Sequence, residues 1–228
     1  MKRKILVVAA HPDDEVLGCG ATIRRHVDEG DEVDVVIMAD GESSRTLQNE
    51  KDHILKRESC TLDACKILGI DKVDFLRMPD NQMDSLPFLT IVQLLEKIIK
   101  KNKPSVIYTH YINDLNIDHQ LTAKAVFTIC RPYTGQSVKE IYSFEIASST
   151  NWSPNTSMDS FNPSLYIDVS MSYSYKVDAL KAYQNEILEF PHSRSIEAIE
   201  ALTKWRGATV GCSHAEAFMV ERLIKSKN

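Results

Sequence analysis

Short apolar runs alternate along the chain with longer stretches of helical spacing. Residues 4–10 read as a buried strand, and apolar positions at Val16, Leu17, Ala21, Ile23 and Val27 then predict a helix to Glu29, which Gly30 stops. Val33 to Ala39 is a second strand, followed by the turn-forming loop from Asp40 to Ser44. A long amphipathic helix is expected from Gln48 to Leu68, closed by Gly69, and a third strand from Lys72 to Leu76. After a loop containing Pro79, Asp80 and Asn81, a helix over Leu86–Lys101 has a lysine-rich end that suits the helix dipole, and Ser105–Thr109 is a fourth strand.

Strands alternating with helices at this spacing predict a Rossmann-like α/β fold: a doubly wound, mostly parallel sheet with helices on both faces. Ligands bind such sheets outside the carboxyl ends of the strands. Beyond a helix near Asp118–Cys130 the rhythm changes, with short strands at Val138–Phe144 and Ser164–Val169. The polar segment around Ser148–Asn162, with Trp152 on it, separates them and is expected to rim the site. Helices at Tyr173–Leu188 and Ser195–Arg206 and a closing strand at Ala215–Val220 complete the pattern. Without an internal repeat or linker, residues 1–228 are expected to form a single domain.

Composition narrows the function classes. The net charge of -5 lacks the basic excess of a nucleic-acid-binding protein. The longest apolar stretch falls short of the roughly 20 residues of a membrane helix, and the lysine- and arginine-containing start lacks a cleavage pattern. The expectation is a cytoplasmic protein that binds no nucleic acid and has no membrane span. The 5 cysteines are scattered and include no Cys-x-x-Cys pair, which suggests reduced, mostly buried thiols.

Within this frame, Ala10-His11-Pro12-Asp13-Asp14-Glu15 stands out, because adjacent carboxylates at the end of a buried strand repel unless paired or bound to a cation. His11 and Asp14 can aim at one point across a strand-to-helix turn. A third ligand is expected from the Asn113–His119 cluster after the fourth strand, which neighbours the first if the order is 3-2-1-4. His11, Asp14 and His119 then form a two-histidine, one-carboxylate site with an open position, as catalytic zinc sites have. Zinc is the expected cofactor, with other divalent transition metals as alternatives. Asp13, beside a ligand, is the candidate general base. Gly18 and Gly20 offer a dinucleotide-binding rival, but Ile23 stands where a third glycine belongs and the acids would repel a pyrophosphate. Close packing of the helix on the sheet accounts for these glycines instead.

The Ala-His-Pro-Asp-Asp-Glu signature, with Gly18 and Gly20 after it, resembles the PIG-L/LmbE-like de-N-acetylases. These are relatives of the N-acetylglucosaminylphosphatidylinositol deacetylase and of the bacillithiol and mycothiol pathway deacetylases. The likeness continues through Arg57-Glu58, Leu68-Gly69-Ile70, Pro79-Asp80, Asp118-His119, Arg206-Gly207 and Ala215–Phe218. It implies the same ligands and the same base, and a zinc-dependent hydrolase that removes acetyl groups from N-acetylated amino sugars or their conjugates. It also implies that Arg57 and Asp80 hold the substrate, and it raises the expectation of a homo-oligomer, since relatives often assemble.

One departure concerns Asn116, where many members carry a histidine. Asn116 can donate a hydrogen bond to an oxyanion but transfers no proton, so Asp13 would serve as both base and acid. Asp118 would orient a neighbour of the metal. His110 and the loop after it are candidates for the missing donor. Two other readings stay open: a metal-dependent amidase or esterase acting on a non-sugar acylated metabolite, and a non-catalytic nucleotide-binding or regulatory module.

Overall fold

The structure is a computed structural model and describes residues 2–45, 49–70, 72–154 and 160–225, without the Glu50 side chain. The first strand, β1 (Lys4–Ala9), is apolar and buried from Ile5 onward because both of its faces are covered. Ile5, Val7 and Ala9 pack into one core layer and Leu6 and Val8 into the other, which is why the run does not alternate with polar residues. Helix α1 (Asp14–Asp28) follows, then β2 (Glu32–Ala39), α2 (Glu50–Leu68), β3 (Lys72–Met78), α3 (Phe88–Asn102), β4 (Val106–His110) and α4 (Ile117–Ile129). The second half contributes β5 (Glu140–Phe144), β6 (Leu165–Asp168), α5 (Tyr173–Lys181), α6 (Ile196–Val210) and β7 (Ala215–Leu223).

Among the described residues the sheet has 7 strands, in the order β3-β2-β1-β4-β5-β7-β6. Strands β1 to β5 pair in parallel, while β7 lies antiparallel to both β5 and β6. Residues of α1, α2, α5 and α6 fill the core on one face. Those of α3 and α4 fill the other. This is the doubly wound, mostly parallel α/β sheet expected, and its switch point lies between β1 and β4, whose carboxyl ends open on the same side.

Several element boundaries depart from the sequence pattern. The predicted helix start at Gln48, and residues 155–159 of the predicted rim segment, lie outside the described residues. Helix α5 ends at Lys181 instead of Leu188. Beyond it, Tyr183 and Glu186 are held in place by polar partners, Glu15 and Arg57 respectively. Helix α6 runs past Arg206 to Val210, where Gly211 caps it at a φ of 82° that most other residues resist.

A further departure is a break in α1. Cys19 is non-helical (φ -150°, ψ 24°), which releases backbone groups inside the protein. Glu216 of β7 accepts the N–H groups of Ala21 (3.2 Å) and Thr22 (2.7 Å). The Lys176 ammonium joins Glu216 (2.6 Å) and the Leu17 carbonyl (2.8 Å). A buried ion pair thus satisfies groups that the ladder of the helix leaves free. Gly18 is required on the same stretch, since a Cβ there would lie 2.4 Å from the Phe144 ring of β5. Gly20 instead faces Val16 and Lys176.

Candidate metal centre

The turn after β1 is tied locally. Asp14 N donates to the His11 carbonyl (3.2 Å), and His11 N donates to Asp14 Oδ2 (2.9 Å). Asp13 caps α1 with a φ of 119°. A non-glycine residue held there is strained, and such strain concentrates at functional sites. Next to β1, the loop after β4 leads into α4, where Asn116 Oδ1 accepts from Asp118 N (2.8 Å) and His119 N (3.4 Å). That cap sets His119 in the first helical turn, facing the His11 turn across the switch point.

Three donor atoms meet there. His11 Nδ1 is 3.2 Å from Asp14 Oδ2, His119 Nε2 is 3.2 Å from the same oxygen, and the two ring nitrogens are 3.3 Å apart. All three residues are buried. Ligands about 2.0–2.1 Å from a tetrahedral zinc are separated by about 3.3–3.4 Å, so the triangle has the dimensions of one face of such a site.

The outer nitrogens of both rings point at carboxylates. His11 Nε2 lies 3.1 Å from Asp118 Oδ2 and 3.3 Å from Asp80 Oδ1, and His119 Nδ1 lies 3.1 Å from Asp114 Oδ1. An ionised carboxylate only accepts hydrogen bonds, so these outer nitrogens carry the protons. In the neutral rings the inner nitrogens then direct lone pairs at each other and at Asp14. Positive charge resolves that arrangement, either as a second proton on a ring or as a metal cation, and the carboxylate behind each histidine is the usual outer partner of a metal-binding imidazole. Asp14 Oδ1, buried and without a hydrogen-bond partner among the described residues, adds a further electron pair at the same place.

The electrostatics express the same demand for positive charge. Burial disfavours the His11 cation, yet hydrogen bonds to Asp118 and Asp14 outweigh it and carry the ring up to about 10. Burial works against the Asp14 carboxylate as well, but His119 and His110 more than offset it and hold Asp14 well below the ordinary range.

Asp13, next to Asp14 in the turn, has partners of its own. Its Oδ2 receives Arg57 Nη2 at 3.3 Å and Arg194 Nη1 at 3.2 Å. Burial dominates and pushes Asp13 up to about 6 against the pull of these two arginines, which puts its proton affinity close to neutrality. Glu186 Oε1 bridges Arg57 (2.7 Å) and Arg45 (2.9 Å). Glu15 is buried between Tyr183 Oη (2.5 Å) and Asp13 N (3.1 Å), an anchor for the turn.

The remaining candidates fall into place around this centre. Asp80 reaches His11 and accepts from the Ser44 hydroxyl. Asp118 faces His11 and fastens the loop after β3 by accepting from Asn81 N (2.7 Å) and Met83 N (3.0 Å). The Asn116 amide Nδ2 donates to Asn81 Oδ1 (2.8 Å), so its side chain is occupied by the helix cap and that loop. His110 is fully buried, accepts from Ala10 N (2.8 Å) and stacks on His119 with ring centroids 3.9 Å apart.

Sequence reasoning singled out neither Asp114 nor Arg194. Asp114 holds His119 from behind and accepts from Ser149 (3.1 Å) and Thr150 (2.5 Å). Its signal was its place in the Asn113–His119 cluster. Arg194 directly precedes the helix expected from Ser195, with no motif around it. A cavity of about 420 Å³ lies beside Arg57, lined also by Arg45, His53, Lys56 and Tyr183.

The family model described as PIG-L, GlcNAc-PI de-N-acetylase, matches residues 6–130, the stretch that carries all three converging donors. The uncharacterized deacetylase YaiS of Escherichia coli K12 is 31% identical over 191 residues, covering 81% of this chain and 92% of that protein. A probable N-acetyl-alpha-D-glucosaminyl L-malate deacetylase 2 of Bacillus cereus is 26% identical over 216 residues, 90% of this chain and 94% of the relative. Among solved structures, the N,N'-diacetylchitobiose deacetylase of Pyrococcus horikoshii superposes with a TM-score of 0.78 at 19% identity, over 96% of this chain and 84% of that one. The 4-carboxy-2-hydroxymuconate hydratase GalB of Pseudomonas putida KT2440 superposes with a TM-score of 0.76 at 20% identity, over 100% and 99%. These structural likenesses show the fold alone, and a hydratase among them shows why chemistry has to be argued from the site. On the family match, which spans more than half of the chain, and the relative that covers four-fifths of it, this chain belongs to the PIG-L family.

Proposed function

We propose that this protein is a metal-dependent N-deacetylase acting on an N-acetylated amino sugar or a conjugate of one. The observation that carries the proposal is the triangle of His11 Nδ1, Asp14 Oδ2 and His119 Nε2, with edges of 3.2–3.3 Å, beside the strained and arginine-held Asp13. His11, Asp14 and His119 would hold a divalent cation, zinc foremost, whose chemistry there would be to polarise the acetamide carbonyl and acidify a water. Asp13 takes a proton from the attacking water as its oxygen bonds to the acetyl carbon. It returns that proton to the nitrogen as the C–N bond breaks, releasing acetate and a free amine. A group with a proton affinity near neutrality suits both transfers. Asp118 and Asp114 orient the two histidines. Arg57 and Asp80 border the site and are the proposed contacts to the sugar or its substituent.

The sugar assignment is supported by the family description and by the naming of the Bacillus cereus relative. The dinucleotide reading has less support, because Gly18 is accounted for by packing against Phe144. Among the described residues no helix is long and apolar enough to cross a membrane. The test is acetate release from N-acetylglucosamine, N-acetylglucosaminyl conjugates and non-sugar acetamides, with and without chelator. Release from the sugars that stops with chelator and in Asp13→Asn supports the proposal. Release confined to non-sugar amides would move the substrate assignment, and an undiminished rate from Asp13→Asn would remove the general base.

A further inference from the structure

Asp13 is held by two guanidinium groups where one would balance its charge. Both contact the same oxygen, Oδ2, which leaves Oδ1 as the oxygen neither arginine occupies. Arg57 comes from α2, is almost fully buried, and is itself neutralised by Glu186 at 2.7 Å. Arg194 comes from the connection between α5 and α6, far away in the chain. Its Nε donates to Ser148 Oγ (2.7 Å), and its backbone N donates to His192 Nδ1 (3.0 Å). The next residue, Ser195, caps α6 by accepting from Ala198 N (3.0 Å), so Arg194 is fixed directly before a helix start. Oδ2 lies off the Cβ–Cγ axis, so two contacts to it from separate elements restrain rotation of the carboxylate about its last torsion more firmly than either contact alone.

We infer that Arg194 is a positioning residue, which acts through Asp13 by fixing the plane of its carboxylate from the side opposite in chain order to Arg57. The inference rests on the proposed role of Asp13 and adds to it a residue outside the stretch matched by the family model. Positioning errors of about 1 Å at a reacting group cost up to about 100-fold in rate. Loss of Arg194 therefore acts on kcat, leaving substrate binding and metal content in place.

The test uses the full chain with Arg194→Gln and Arg194→Lys, each alone and combined with Asp13→Asn. Three quantities are followed: acetate release from the best N-acetylated sugar of the panel, zinc content, and the crystal structure of the Arg194→Gln protein. The expected result is a kcat lowered about 10- to 100-fold with KM nearly unchanged and full zinc content, and partial recovery with lysine. Asp13→Asn and Asp13→Asn/Arg194→Gln should be equally slow, and the Asp13 carboxylate should be rotated in the crystal. Wild-type kcat in Arg194→Gln, an unmoved Asp13 carboxylate, or a further loss of rate in the Asp13→Asn background would each overturn the inference. If Asp13→Asn kept the wild-type rate, the general-base reading itself would fall, an outcome distinct from an inactive Asp13→Asn beside a fully active Arg194→Gln.

Discussion

His11 Nδ1 and His119 Nε2 face each other at 3.3 Å, each already 3.2 Å from the same oxygen of Asp14. Two imidazoles and a carboxylate in that geometry call for positive charge between them, which a bound divalent cation would supply. Protein stability should therefore depend on metal. At free zinc 100-fold above its dissociation constant, binding to the folded state alone adds about 2.7 kcal/mol. Chelator dialysis should lower the midpoint of thermal unfolding by several degrees, zinc should restore it, and His119→Ala should abolish the response. A melting curve indifferent to chelator and zinc would remove the metal from this site.

The buried pair of Lys176 and Glu216, 2.6 Å apart, replaces hydrogen bonds lost where α1 breaks at Cys19. Lys176→Met leaves a buried carboxylate without its cation and the Leu17 carbonyl without its donor. Breaking one side of such a pair costs about 3–5 kcal/mol. Denaturant unfolding should show that loss, and a change below about 1 kcal/mol would mean that the pair contributes little beyond specificity.

Gly18 and Gly20 make different demands although only one residue separates them. Gly18→Ala drives a methyl group into the Phe144 ring at 2.4 Å, and that ring is held edge-on to His110 at a centroid distance of 4.8 Å. Overpacking of this kind costs about 1–3 kcal/mol. Gly20→Ala meets only side-chain atoms of Val16 at 3.0 Å and Lys176 at 3.4 Å, so its cost should be smaller. Equal stability of the two variants would contradict this ordering.

At the opposite end of the sheet, His26 is held between Asp31 (3.0 Å) and Tyr108 (2.9 Å). Burial, aided by the Arg3 cation, lowers the His26 pKa despite Asp31. The unfolded chain therefore takes up this proton first, and the contribution of neutral His26 fades as pH falls below about 6.5. The Asp31 carboxyl is also lowered, because hydrogen bonds from Arg3 and His26 outweigh burial, and its contribution is lost only in stronger acid. Thermal unfolding followed from pH 7 to pH 5 should show a smaller loss in His26→Gln than in the wild type. An identical slope in the two proteins would show that His26 does not carry the effect.

The sequence by itself determined the order of strands and helices, the doubly wound sheet and the placement of His11, Asp14 and His119 near one strand end. These rest on signals within a few residues, such as apolar runs, helix periods and a His-Pro-Asp-Asp turn, joined by one topological rule that sets β1 beside β4. Tertiary structure decided what surrounds that nucleus. Asp13 meets Arg194 across 181 residues, Ala21 meets Glu216 across 195, and neither pairing leaves a periodic trace. The early end of α5 and the break of α1 have the same origin. In both places buried polar groups have partners that come from distant elements, and satisfying those groups outweighs the local preference to continue a helix. Local propensity names the elements, while the cost of burying unpaired charge determines which distant residues complete the site.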